Sequence, residues 1–147
     1  MASTATTVAT TTTDSLETGV SLTRLYVLRA TYLLLIAGLG ALVLPPLLNH
    51  GPMARGVIPS LLGGVWALAF VGLRYPLQML PLLLFEFAWK AIWLVEYGLP
   101  QWLSGQFPPT FAEDFQNIVA GVILMPLVIP WGYVYRHYFK RRANRWR

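Results

Sequence analysis

Residues 77–99 read LQMLPLLLFEFAWKAIWLVEYGL, an apolar run with Glu86 and Lys90 four residues apart at its middle and Glu96 near its end. A bilayer hydrocarbon core about 30 Å thick is crossed by about 20 residues of helix. The run is therefore long enough to span, and its two central charges are what any fold must accommodate. Three more runs of that kind flank it, at 25–48, 57–73 and 118–139. Backbone groups in lipid must be satisfied within the segment, which favours helices. None of the runs shows the alternating pattern of a membrane β-barrel strand. The expected fold is an all-α, integral membrane four-helix bundle over residues 23–147.

Composition agrees with that frame. Charged residues make up 12% of the 147, about half the share in soluble domains. The absence of cysteine excludes disulfides, thiolate metal sites, iron–sulfur clusters and thiol nucleophiles. Residues 1–22, rich in Thr, Ser and Ala, carry too little apolar surface to offset the entropy of ordering and are expected to form a disordered tail. They lack the basic and apolar regions of a signal peptide, and the arginines of a transit peptide.

The connections differ in character. Arg74-Tyr75-Pro76 is so short that the second and third helices should form a tight hairpin, with Pro76 in the first turn of the new helix. Residues 49–56 form a polar turn. Residues 100–117 mix Trp102, Phe107, Phe111 and Phe115 with Glu113 and Asp114, as in a segment lying at the membrane surface or a loop with aromatic anchors. An even number of spans places both termini on one side. That side collects Arg24, Arg29, Arg74, Arg136, Lys140, Arg141, Arg142, Arg145 and Arg147, whereas Arg55 faces the other. The positive-inside rule then puts both termini in the cytoplasm.

Glu86 and Lys90 lie roughly 3 Å from the centre of their run, at about 1.5 Å per residue. A charge at that depth costs at least about 2.5–3.5 kcal/mol. Glu before Lys at i, i+4 is the favourable order for a helical pair, but pairing leaves two ions to desolvate. The pair should thus face other helices or a wet cavity. Met79, Glu86, Lys90, Trp93 and Tyr97 project into one sector at 100° per residue, with Trp89 and Glu96 to one side. Two readings follow for this stripe: a self-neutralised pair that fixes helix packing, or a ligand or proton site built on Glu86 with Lys90 as counter-charge.

Other signals carry less chemistry. Pro126 and Pro130 each remove a backbone donor, freeing the carbonyls of Val122 and Pro126. Ala37, Gly38, Gly40 and Ala41 in the first run, and Gly63, Gly64 and Ala67 in the second, permit close helix approach. His50 and His137 end runs at opposite faces, so they cannot hold one haem or share a metal. No phosphate loop or metal-helix motif occurs, and neither cofactor nor metal is expected. The tail 135–147, YRHYFKRRANRWR, could bind nucleic acid by composition. Following a span directly, its Arg136, Lys140, Arg141, Arg142, Arg145 and Arg147 instead suit anionic lipid headgroups, at roughly 1 kcal/mol each.

The stretch GLRYPLQMLPLLLFEFAWKAIWL, with PWGYVYRHY and the terminal RWR, resembles small, functionally uncharacterised bacterial inner-membrane proteins of four spans. The glycine-containing second run, basic turn with proline and apolar third run also resemble the DoxX-like group. The resemblance implies a bacterial inner-membrane setting and carries over no functional position. Three function classes remain: an accessory or scaffolding protein associating with itself or a larger complex; a small transporter or proton-coupled protein using Glu86 and Lys90; and a DoxX-like membrane oxidoreductase subunit.

Overall fold

In the computed structural model, which describes residues 19–49, 56–105 and 107–140, the apolar runs are helical and no strand occurs among the described residues. Helix α1 spans Leu22–Leu48 and α2 spans Val57–Arg74. Helix α3, Leu80–Trp93, continues through a π turn, Leu94–Gly98, into α4, Leu99–Ser104. Helix α5 covers Phe111–Val128, and a short α6, Trp131–Val134, runs into a second π turn, Tyr135–Phe139. Helices α1, α2 and α5 are each long and apolar enough to cross a membrane.

Side-chain contacts fix the pairing of these rods. Tyr32 lies against Gly72, Gly40 against Trp66, and Gly63 against Val43 and Leu47. Contact positions rise along α1 as they fall along α2, so the two are antiparallel. Of the small residues singled out from sequence, Gly40 and Gly63 carry this approach, whereas Gly38 and Gly64 have no neighbour where a Cβ would sit. The Trp66 indole N–H donates to the Ile36 carbonyl at 2.9 Å, tying α2 to the backbone of α1. Helix α5 packs along α3, and lesser contacts join α1 to α5 and α2 to α3.

Two boundaries differ from the sequence reading. Pro76 does not begin the third helix: residues 75–79 form a turn closed by Met79 N–H to the Tyr75 carbonyl at 3.1 Å, and Pro81 takes the first helical turn. The displaced Pro76 carbonyl accepts from the buried Tyr32 hydroxyl at 3.3 Å. The connection read over 100–117 is helical at both ends, leaving residues 105 and 107–110 of those described outside the helices. It turns at Gly105, whose φ of 68° favours glycine.

The run at 118–139 is not one helix. Pro126 is accommodated inside α5, but Ile129 is extended, with ψ 124°, and the chain restarts at Trp131. Proline lacks an N–H, so Pro130 cannot serve the Pro126 carbonyl. The Trp131 indole N–H does so instead, at 2.8 Å. That carbonyl is therefore occupied and does not line a cavity beside Glu86. Replacing Trp131 with Phe keeps the edge contact to Phe87 (6.3 Å between centroids) but removes the donor. A stability loss of about 0.5–1.5 kcal/mol is expected, read by thermal unfolding in detergent; an unchanged midpoint would rule out this bond as a stabiliser.

The core joins Leu28, Tyr32, Leu35 and Leu39 of α1 with Val65 and Ala69 of α2, then Leu80 and Leu83 of α3 and Met125 and Ile129 at the end of α5. Outward faces are apolar too: Leu34 and Leu42 on α1, Leu61 and Leu68 on α2, Ile92 on α3, and Ile123 and Leu127 on α5 are exposed. The tail expected at 1–22 falls, for residues 1–18, outside the described residues, as do His50 and Arg55.

Candidate functional site

The ion pair forms as the spacing requires. Lys90 Nζ bonds Glu86 Oε2 within α3. Glu86 is completely enclosed (0% exposed), and the Lys90 side chain is 12% exposed. Helix α5 lies against the lysine: a Cβ on Gly121 would be 2.6 Å from Lys90 Cδ and 2.8 Å from Cε. The absence of a side chain at Gly121 therefore gives the lysine stem its place against the α5 backbone. Lys90 Nζ also stands 4.2 Å from the Trp89 ring centroid, a cation–π distance.

Two polar atoms in this layer have no hydrogen-bond partner among the described residues: Glu86 Oε1 and the Trp89 indole nitrogen, both buried. One is an acceptor and the other a donor. They belong to residues three apart on α3, neighbours on one helix face.

The stripe predicted to continue outward changes direction beyond Trp93. A π turn carries about one residue more than an α turn, with N–H bonds reaching back five residues, as from Leu99 to the Leu94 carbonyl. Gly98 is thereby brought beneath the Trp93 indole, where a Cβ would lie 2.9 Å from the ring. Glu96 becomes exposed, and Tyr97 is 65% exposed. Trp93 and Tyr97 do share a cavity of about 230 Å³ with Gln101, Pro108, Phe111 and Asp114. Glu86, Lys90 and Trp89 are not among the residues lining it. Beyond it, Trp102 stacks on Phe115 at 4.9 Å, and Phe111 stands 5.3 Å from both Phe107 and Phe115. With Lys90 at Gly121 and Trp102 at Phe115, α3–α4 and α5 run antiparallel.

Of the basic residues expected to meet lipid headgroups, Arg136 is exposed within the second π turn and Lys140 just after it; Arg141, Arg142, Arg145 and Arg147 lie outside the described residues. His137 stacks on Tyr133 at 5.1 Å and meets Tyr138 edge-on at 5.1 Å. Among the described residues, no three His, Asp or Glu side chains group to hold a metal ion.

Sequence reasoning missed Gly121 and Trp131. A glycine inside an apolar helical run is itself a signal of close approach, and Trp131 directly follows the proline whose missing donor it replaces. Comparison with protein-family models, curated proteins and solved structures gave no match.

Proposed function

We propose that this chain is a four-span bundle of the bacterial inner membrane, with both termini cytoplasmic, serving as a non-enzymatic accessory or scaffolding protein. The fourth span would be the α3–α4 rod. Its residues 80–104 extend roughly 35 Å at about 1.5 Å per residue, more than the hydrocarbon thickness. The cycle of contacts from α1 to α2, α3, α5 and back to α1 supports a four-helix bundle, and the apolar outward faces suit lipid as solvent.

One observation carries the choice of class. The intramembrane pair is closed off: Glu86 has no exposed surface, Lys90 neutralises it from the same helix, and Gly121 seals the lysine stem. A group so enclosed serves packing between α3 and α5 better than turnover. The unpartnered Glu86 Oε1 and Trp89 indole nitrogen favour the alternative, a proton-coupled or small transport protein, because intramembrane ionisable groups mark such pathways.

Reconstitution in liposomes separates the two. The accessory reading expects no proton flux above protein-free vesicles, and a detergent-extracted particle whose native mass exceeds one chain. A flux abolished by Glu86→Gln, in a variant that keeps its thermal midpoint, would replace it with the transport reading. Reporter fusions at residue 147 and within 103–112 test orientation: the first should be active only in the cytoplasm and the second only outside it.

A further inference from the structure

Where the two ends of the described chain meet, a cavity of about 300 Å³ opens between the start of α1 and the restart after Pro130. Arg24 from α1 and Arg136 from the second π turn both line it. The ion pair among the described residues is Glu86–Lys90, so no described carboxylate neutralises either guanidinium. The first turn of α1 contains no acidic residue, and the Ser21 side chain accepts only the Arg24 N–H, at 3.4 Å. The positive end of the α1 dipole thus adds to the two cations.

The backbone is shaped around this charge. Gly19 adopts φ 61°, and a Cβ there would sit 2.9 Å from Arg136 Nη2. Glycine favours the conformation and leaves room for the guanidinium to lie against the chain. Gly132 lines the cavity, and nothing lies within 4 Å of where its Cβ would be. Tyr133 lines the same space and offers a hydroxyl donor.

We propose that this cavity is a binding site for a phosphate oxyanion, supplied by the phosphodiester of an anionic phospholipid. Two arginines present forked donors that match phosphate oxygens, and basic pockets between helices at the cytoplasmic side hold anionic headgroups. The site differs from diffuse attraction by the basic tail because it has fixed walls and recruits Arg24 from the other end of the chain. The phosphate chemistry rests on the cavity alone; the lipid source rests on the four-span reading.

The test uses the full chain in neutral detergent. Native mass spectrometry would count bound phosphatidylglycerol, with phosphatidylcholine as control and inorganic phosphate as a separate arm. One phosphatidylglycerol should be retained, with affinity lowered about tenfold or more by Arg24→Gln or Arg136→Gln. Gly132→Val, which adds bulk to the cavity lining without changing charge, should also weaken retention. Arg141→Gln with Arg142→Gln, outside the cavity, should not. Protection from thermal unfolding by inorganic phosphate, lost in Arg24→Gln, with no retained lipid, would keep the phosphate site and overturn the lipid source. Equal retention by the wild type and both arginine variants, or equal retention of phosphatidylcholine, would overturn the site itself, whatever the fusions report about topology.

Discussion

Lys90→Met is expected to destabilise the protein by about 3–5 kcal/mol, because it leaves the Glu86 carboxylate enclosed without its counter-charge. Glu86 has no exposed surface, so water cannot replace the lost partner without opening the packing around it. Glu86→Gln strands an ammonium that is nearly as enclosed and should cost a comparable amount. The double variant, Glu86→Gln with Lys90→Met, should recover most of the loss. Replacing a buried pair by groups of similar volume is often close to neutral, since both desolvation penalties vanish with the attraction. The measurement is a double-mutant cycle on thermal midpoints in detergent, with accumulation in the membrane as a second readout. Additive losses would show that the two side chains act separately. Stable single variants would show that the pair does not support packing.

Gly72→Val is the second large effect. A Cβ at Gly72 would run into three atoms of the Tyr32 ring. Tyr32 is fully buried, and its hydroxyl bonds the Pro76 carbonyl at 3.3 Å. The ring is therefore held on its face by α2 and at its tip by the turn that follows α2. Overpacking costs about 1–3 kcal/mol or more, while leaving glycine gains at most about 1 kcal/mol of helix propensity. The clash outweighs the gain, and the bulkier valine should sit at the upper end of that range. Gly72→Ala should lose less, and combining it with Tyr32→Leu should restore stability by making room. Gly64→Ala is the control: with open space around its Cβ, it should lose nothing. A Gly72→Val protein as stable as wild type would mean that α1 and α2 do not meet through Tyr32.

Much of this architecture can be read from the sequence, for identifiable reasons. Long apolar runs leave helices as the economical way to satisfy the backbone, and the Glu86–Lys90 spacing depends only on the geometry of one helix. Failures begin where the helix departs from 100° per residue. Projection placed Tyr97 in line with Lys90, but the π turn at 94–98 changes the phase, and no local residue announces it. Pro126 and Pro130 look alike in sequence; α5 absorbs the first and breaks at the second, where Ile129 turns extended. Arg24 and Arg136 are far apart in sequence, and only the closed fold brings them to one cavity. Gly121 was legible in kind but not in partner, since one helix cannot say which lysine it receives.

The π turn at Leu94–Gly98 gives the α3–α4 rod two separate keyings to α5. Below it, the phase is set by a charged pair against a glycine; above it, by Trp102 stacked on Phe115. A single uninterrupted α-helix would force one phase on both, so improving either fit would spoil the other. The extra residue works as a mechanical clutch, disengaging the two halves. The polar layer and the aromatic cap can therefore drift in sequence independently, each answerable only to its own stretch of α5.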